Sequence, residues 1–307
     1  MTIMIQPSAE QISAWVNAYV PGKDFYFLRE TDLDRFRDDL AGVLVVPRDE
    51  FFKHPSYRQV GLANSYEHWN ISQEAAYVLV AHPEWITWLS AAKKQDLNAL
   101  QVEIGRGLVL PVPSGQSLAE WYEHLVEVQG ESYLVLHRAM WSRMPDEMRS
   151  VLLAGYAKEW DDWTGQALPD RTPAHIRRYA NTFPVTSGSN CLAATLFAVS
   201  GQEWFVSEWV HQQTFLKGLE QAHYGLADQK DESRLDAGDV VTWVNADGII
   251  QHASYHVGDG MFFNKNGQTF FHPWKIVEWD DLKEQWAGYS RRTYEKKRGP
   301  EGEEIDR

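Results

Sequence analysis

The sequence contains a single cysteine, Cys191, and no apolar run long enough to cross a membrane. One thiol excludes an internal disulfide, and the N-terminus MTIMIQPSAEQ lacks the basic and apolar segments of a signal peptide. Basic residues are also few, since 29 Lys and Arg stand against 43 Asp and Glu, a net charge of -14 at pH 7. Because nucleic acids and anionic membranes bind basic surfaces, we expect neither as a partner and predict a soluble, cytoplasmic protein.

Aromatic residues are abundant, with 14 Trp, 13 Tyr and 13 Phe. A chain of 307 residues with this composition can bury a large core and is long enough for two domains. The polar, turn-rich stretch DDWTGQALPDRTP at 161–173 is the best candidate for a boundary. We therefore predict a mostly helical N-terminal domain of unknown role over 1–165, a second domain over 166–290, and a charged, flexible tail over 291–307.

Helix signals dominate the N-terminal half. Ser8 with Gln11, and Ser117 with Glu120, have the spacing of a capping box. The stretches SYLVLHRAMW and PDEMRSVLLAGYAKEW also have helical periodicity. Two short apolar runs, GVLVVP and GLVLPVP, predict strands instead.

The C-terminal half changes character part-way along. Thr172 followed by Pro173 predicts a helix start, a helix follows Asn190, and another covers about 202–222. The stretch GDVVTWVNADGIIQHASYHVGDGMFFNKNGQTFFHPW then has three turn signals between β-branched and aromatic runs. This order predicts an α+β fold, in which helices are followed by an antiparallel β-meander.

Cys191 stands where a helix begins. Ser189 or Asn190 can cap that helix, which places the thiol in its first turn. Unpaired N–H groups and the helix dipole stabilise a thiolate at such a position. A cysteine on a helix rich in Ala and Leu is, however, also typical of an inert core residue.

A cysteine nucleophile requires a base and a group that orients the base. His252 lies mid-strand, and if 258–260 form a three-residue hairpin loop, it faces Asn266 and shares a face with Asn264, one diagonal step away. Either amide can accept from an imidazole N–H. The alternatives are a hydrogen-bonded sheet histidine and, for Asn266 before Gly267, a turn residue.

The motifs SNCLAATLFA, DAGDVVTW and HASYHVGDGMFFNKNG together resemble the NlpC family of papain-fold cysteine peptidases. That family has a cysteine at a helix start, Gly-Asp before the first core strand, a histidine on the next strand and a polar orienting residue twelve positions later. The resemblance covers about 175–275 and implies a papain-like catalytic domain without a cofactor. It assigns Cys191, His252 and Asn264 the order Cys-His-Asn.

The sequence also departs from the family pattern. The usual Asp-Cys-Ser-Gly is Asn190-Cys191-Leu192-Ala193 here, the aromatic four residues after the histidine is His256, and the third residue is more often His than Asn. These changes weaken the expectation of a cell-wall peptide substrate more than that of thiol chemistry.

The resemblance implies a hydrolase that cleaves a small peptide or amide. The thiolate attacks the carbonyl, backbone N–H groups at the helix start stabilise the oxyanion, and a thioester forms. Water resolves the thioester in an amidase or peptidase, whereas an amine resolves it in an acyltransferase. As residues that contact the substrate we expect Ser189, Asn190, His256 and Trp243, although Trp243 also fits a core position.

Other interpretations remain open at the sequence level. His252 and His256 share a strand face and suggest zinc, but HASYH lacks the glutamate of the helical zinc-peptidase motif, so no metal is predicted. A transglutaminase-like fold would use Asp259 as the third residue. The chain is alternatively a non-catalytic binding module derived from the fold, or an effector that attacks amides of another cell.

Overall fold

A computed structural model describes residues 1–112, 118–227 and 235–297. It is a mixed α+β structure in which all strand pairs are antiparallel. The helices are α1 (Ala9–Tyr19), α2 (Leu33–Phe36), α3 (Arg48–Lys53), α4 (Val60–Ser65), α5 (Trp85–Trp88), α6 (Ala91–Ile104), α7 (Arg138–Arg143), α8 (Asp146–Ala157), α9 (Ala174–Tyr179), α10 (Cys191–Ser200), α11 (Gln212–Gln221) and α12 (Trp279–Gln285). The strands are β1 (Thr2–Met4), β2 (Asp24–Arg29), β3 (Leu44–Pro47), β4 (Ala75–Ala81), β5 (Val109–Pro111), β6 (Leu125–Val128), β7 (Glu131–Val135), β8 (Thr164–Gln166), β9 (Tyr224–Leu226), β10 (Val240–Val244), β11 (Ile250–Gly258), β12 (Met261–Asn264), β13 (Lys275–Glu278) and β14 (Ser290–Lys296).

The chain forms two compact units. One is Ile12–Ala157, and the other combines Met1–Gln11 with the residues from Lys158 onward. The division therefore falls about eight residues before the predicted boundary at 165. The first residues belong to the C-terminal unit because β1 pairs with β8, with Thr2 opposite Gln166.

The unit Ile12–Ala157 contains helices, as predicted, but also more strands than the sequence indicates. It contains two three-stranded sheets, with strand orders β2-β4-β3 and β5-β7-β6. The runs GVLVVP and GLVLPVP form β3 and β5 as predicted, and α8 is also confirmed. SYLVLHRAMW divides instead into β7 and α7. Because β7 is paired on both sides, its apolar residues do not alternate, and periodicity alone does not distinguish such a strand from a buried helix.

Two predicted helix starts can be compared with the structure. At the first, the Ser8 amide N–H donates to Gln11 Oε1 at 2.8 Å and the Gln11 amide N–H donates to Ser8 Oγ at 3.2 Å, which confirms the capping box. Ser117, of the second predicted box, lies outside the described residues. No helix in the described parts of the chain is long and apolar enough to span a membrane.

The C-terminal unit is built on a six-stranded sheet in the order β13-β12-β11-β10-β14-β9. The predicted antiparallel meander is confirmed as β10 to β13. The tail prediction is wrong where it overlaps β14, because Ser290–Lys296 pairs with β10 on one side and β9 on the other. The charged residues of this strand point mainly outward while Thr293 is buried, so the charges do not prevent sheet formation.

The helices that precede this sheet also differ from the prediction. Pro173, rather than Thr172, occupies the cap position of α9. A 3-10 helix at Glu203–Ser207 and α11 replace the single helix expected over 202–222. α10 begins at Cys191 and ends at Gly201, whose φ of 69° is the left-handed conformation typical of a helix end.

The six-stranded sheet has two differently packed faces. One face packs on α10 through Ala253, Tyr255 and Phe263, with Phe197 of α10 6.0 Å from Phe263. The opposite face packs on α12, where a small cluster forms from Val241, Trp243, Phe262 and Leu282. Neighbouring residues on a strand point to opposite faces, so successive side chains of β11 enter the two cores in turn.

Candidate active site

The thiol of Cys191 lies at the first residue of α10, where it is half-buried. Asn190 caps the helix, with its Oδ1 accepting from the Ala193 N–H at 2.9 Å and its carbonyl accepting from the Ala194 N–H at 3.0 Å. The Asn190 Nδ2 also donates to the Val210 carbonyl at 2.8 Å. These bonds leave the N–H groups of Cys191 and Leu192 outside the helix's own hydrogen-bond pattern, next to the sulfur.

Opposing effects act on the pKa of this thiol. Burial raises it above its ordinary value, while the N–H groups of Ala253, Leu192 and Cys191 and the charge of Lys265 lower it. Burial is the largest effect, so the thiol is protonated at neutral pH. The contribution of the Ala253 N–H places the sulfur beside β11, at the residue directly after His252. This N–H is available because the β11–β12 ladder ends at Tyr255 and Phe263.

His252 and Asn264 are in direct contact. The Nε2 of His252 lies 2.6 Å from Asn264 Oδ1, which also accepts from Ser254 Oγ at 2.6 Å. Asn264 donates through its Nδ2 to Asn266 Oδ1 at 2.8 Å, so Oδ1 is its acceptor atom. The hydrogen of the neutral imidazole therefore belongs on Nε2, which leaves Nδ1 as the basic nitrogen.

Aromatic rings enclose this imidazole. Trp286 stacks on the His252 ring with centroids 4.4 Å apart and planes at 10°, and Trp243 lies 5.5 Å away. Burial lowers the pKa of His252 to about 4, against a smaller raising effect of the Asn264 hydrogen bond. The imidazole is therefore neutral at physiological pH, as a general base must be before it accepts a proton.

The sheet separates the Cys191 helix from the imidazole. Trp243 and His252 are cross-strand partners and both point toward α12, whereas α10 packs on the other face through Ala253. Within the described residues no hydrogen bond joins the sulfur to the His252 ring. The structure thus brings His252 and Asn264 together and places the thiol against the backbone next to them, without an imidazole–thiol hydrogen bond.

A cavity of about 360 Å³ opens at the thiol. Among the described residues its walls contain no Asp, Glu, Lys or Arg, and carboxamide side chains are prominent. The lining residues are Asn190, Cys191, Leu192, Trp209, Val210, His211, Gln212, Ile249, Ile250, Gln251, Asn266, Gly267 and Gln268. Such a wall suits a neutral ligand that donates and accepts hydrogen bonds, as an amide does.

Three of the four predicted substrate contacts do not line this cavity. Ser189 is buried, and its hydroxyl has no hydrogen-bond partner in the described residues. His256 points toward α12, where it stacks on Phe262 with centroids 4.8 Å apart and its Nδ1 bonds to the Asp236 carbonyl at 2.8 Å. Trp243 is a core residue on the same face. Only Asn190 lies at the predicted place, because the strand face shared with His252 is not the face that borders the cavity.

Two other interpretations of the sequence lack a geometric basis: Asp259 as the third catalytic residue, and a zinc ion held by His252 and His256. Asp259 is a turn residue with a φ of 54°, at the far end of β11 from His252. Seven residues of strand place it about 23 Å along the chain, beyond hydrogen-bond reach. In the described residues no group of three His, Cys, Asp or Glu side chains is placed to hold a metal ion.

Lys265 was not predicted from the sequence. This buried side chain donates through Nζ to the carbonyls of Gly267, Thr269 and His272 at 2.7, 3.0 and 2.9 Å. Burial lowers its pKa to about 7, against raising effects of Asp161 and Cys191. The bonds hold the segment 266–272, part of which lines the cavity. Trp286 was missed as well, because it is distant in sequence and no local pattern connects it with His252.

No family model, no curated protein and no solved structure matches this chain. The likeness of its motifs to the NlpC family therefore stays a prediction, and the function has to be inferred from the geometry of the site.

Proposed function

We propose that the C-terminal unit is a papain-like, NlpC-type domain that hydrolyses an amide or peptide bond. In this proposal Cys191 is the nucleophile, His252 the base and Asn264 the group that orients the base. The observation that carries the proposal is the position of the Cys191 sulfur, at the start of α10 and beside the Ala253 N–H, directly after a histidine whose Nε2 is held by Asn264 at 2.6 Å.

The reaction begins with a neutral thiol and a neutral imidazole. His252 Nδ1 accepts the thiol proton as the sulfur attacks the substrate carbonyl, and Asn264 fixes the tautomer that makes this possible. The N–H groups of Cys191 and Leu192 donate to the developing oxyanion. The imidazolium then protonates the leaving amine, which produces a thioester. Water attacks the thioester, with His252 again as base, and releases the acid.

The cavity supports a small, uncharged substrate. Its volume of about 360 Å³ suits a short peptide or another amide, and the exposed side chain of Gln251 provides an amide group to pair with the substrate. An amine that enters instead of water would take the acyl group, which makes acyl transfer the variant reaction of the same thioester. A cytoplasmic location belongs to the proposal as well.

A second candidate function is a non-catalytic binding module. It is favoured by one observation, that the His252 ring lies on the α12 face of the sheet while α10 packs on the other face. In that case Cys191 only lines the cavity, and the hydrogen bond between His252 and Asn264 stabilises the core. For catalysis the imidazole has to reach the sulfur past the strand edge where β11 and β12 are no longer paired.

Thiol labelling distinguishes the two functions. In the native protein, the enzyme is expected to react with iodoacetamide at Cys191, and replacement of His252 by Asn should slow labelling near pH 7 by about tenfold or more. His256→Asn is the matched control, because His256 lies on the same strand and face but away from the thiol. Mass spectrometry after exposure to activated acyl amides should show an adduct on Cys191 that Cys191→Ala lacks.

The opposite results would favour the binding module. If Cys191 is labelled only after denaturation, or if His252→Asn and His256→Asn label at the wild-type rate, the base assignment fails. The hydrolase proposal then has to be abandoned.

A further inference from the structure

Two large apolar side chains in the lining of the cavity at the thiol are accessible to a ligand. Ile249 is 51% exposed and Trp209 is half-buried. The other apolar residues of the lining are buried in the core, namely Leu192, Val210 and Ile250. Exposed apolar surface inside a cavity is typical of a ligand-binding site.

Asn190 fixes the position of Trp209 relative to the thiol. Its Oδ1 caps α10, while its Nδ2 donates at 2.8 Å to the carbonyl of Val210, the residue directly after Trp209. The ring of His211, an exposed residue, lies 6.3 Å from the indole. The indole therefore lies on a segment that is hydrogen-bonded to the residue before the nucleophile.

Gln212 fixes Ile249 in a similar way. Its Nε2 donates to the Gly248 carbonyl at 3.2 Å and its Oε1 accepts from the Ile250 N–H at 2.7 Å, so the two bonds flank Ile249. The Ile249 N–H itself donates to Asn245 Oδ1 at 2.9 Å. Both accessible apolar side chains thus belong to backbone that is already ordered, which lowers the entropy cost of binding a ligand against them.

The polar groups of the lining restrict the chemistry of the ligand. A charged group of a ligand would find no Asp, Glu, Lys or Arg partner among the described lining residues and would lose hydration there. The exposed carboxamide of Gln251 can pair with an amide. A flat apolar group complements the remaining surface best, because an indole binds an aromatic ring in a stacked or edge-to-face arrangement.

We propose that the cavity selects an amide that carries an aromatic side chain next to the scissile bond. Trp209 and Ile249 contact that side chain, while the scissile amide lies at Cys191 and pairs with Gln251. The inference rests on the proposed function, because it describes the ligand as the substrate of the thiol. It adds the class of substrate and the residues that determine specificity.

Binding to the full chain with Cys191→Ala tests the selection, because this variant lacks the nucleophile and cannot turn the ligand over. The probe is N-acetylphenylalaninamide, and the matched ligands are the N-acetyl amides of alanine, lysine and glutamic acid. An NMR titration measures the affinities. We expect the phenylalanine amide to bind about tenfold or more tightly than the alanine amide, and the two charged amides to bind no better than the alanine amide.

Two substitutions in the Cys191→Ala chain assign the selection to residues. Trp209→Ala should weaken binding of the phenylalanine amide about five- to tenfold and leave that of the alanine amide unchanged, a difference that a general disturbance of the fold would not produce. Ile249→Ser should weaken it about two- to fivefold at an exposed position. Trp204→Ala is the matched control, since Trp204 is 64% exposed, lies on the preceding 3-10 helix and does not line the cavity.

The results separate this inference from the proposed function. The inference is overturned if the phenylalanine amide shows no measurable binding or no preference over the alanine amide, whatever the reactivity of the thiol. Unchanged binding by both Trp209→Ala and Ile249→Ser would also overturn it. If the preference is found but the wild type forms no acyl adduct on Cys191, the hydrolase proposal fails and the selectivity of the cavity stands.

Discussion

At the scale of single residues, Asn264 has the most demanding position. Its Oδ1 contacts His252 and Ser254, and its Nδ2 contacts Asn266. Asn264, His252 and Ser254 are almost completely buried. A buried polar group that loses its partner costs more than the bond itself contributed. Every member of this group therefore depends on the carboxamide of Asn264.

Replacing Asn264 by Ala should lower the free energy of unfolding by about 2–4 kcal/mol, because two buried donors and one acceptor lose their partner. Ser254→Ala removes one donor and leaves the His252 contact in place, so about 1 kcal/mol is expected. Urea denaturation measures both values. Equal stability of the two variants would show that Asn264 does not organise the group.

At the scale of elements, α10 illustrates what a local pattern predicts. The Ser-Asn-Cys sequence predicted a cap followed by a cysteine in the first turn, and the structure has Asn190 as the cap and Cys191 as the first helical residue. The meander was predictable for the same reason, since turn residues and strand alternation are local signals. The register of β11 on β12 agrees with the Gly-Asp-Gly turn at Tyr255, which lies opposite Phe263, but a register shift next to the turn puts Gly258 opposite Met261.

Substitution of Asn190 tests whether its side chain stabilises the start of α10. Asn190→Ala should destabilise the protein by about 1 kcal/mol, because the Ala193 N–H loses its acceptor. Asn190→Asp keeps an acceptor and places a negative charge at the helix start, so its stability should be near that of the wild type. Thermal unfolding of the two variants provides the comparison, and a drop shared by both would mean that the bond to Val210, rather than the cap, is what matters.

Long-range packing sets the limit of prediction at this scale. Which face of β11 meets α10 depends on Phe263 and Ala253 packing against that helix, and no local signal specifies it. For that reason His256 and Trp243 were assigned to the substrate site although both face α12. In the unit Ile12–Ala157, β2 and β4 were missed for a similar reason, since both strands bury most of both faces and lack a period of two.

At the scale of the whole molecule, buried histidines connect stability to pH. Burial lowers the pKa of His68, His124 and His252 to about 4 and that of His272 to about 3, and it also lowers the pKa of His137. The unfolded chain binds protons at these residues below about pH 6.5, whereas the folded chain does not. Their stability contribution is complete above pH 6.5 and is lost as the pH falls toward 4.

We therefore expect the free energy of unfolding to fall on acidification from pH 7 to 5, before carboxylates with ordinary pKa values titrate. For His252 alone the shift to about 4 corresponds to about 3 kcal/mol across the full window. Asp24 acts in the opposite sense, because burial raises its pKa to about 6 and the folded chain then binds the extra proton. Burial raises the pKa of Glu67 and of Glu159 as well, so both act in the same sense as Asp24. These three carboxyl groups do not offset five histidines, and urea midpoints that stay constant from pH 7 to 5 would contradict the expectation.

The segment from Asn266 to His272 contributes to the wall of the cavity at the thiol through Asn266, Gly267 and Gln268. Gly267 has to be a glycine there, since a Cβ would lie 2.5 Å from the His272 ring, and the ammonium of Lys265 fixes three carbonyls of the same stretch. A ligand that needs more room on this side has to break those hydrogen bonds of the Lys265 ammonium, so this wall should limit the size of the ligand that binds.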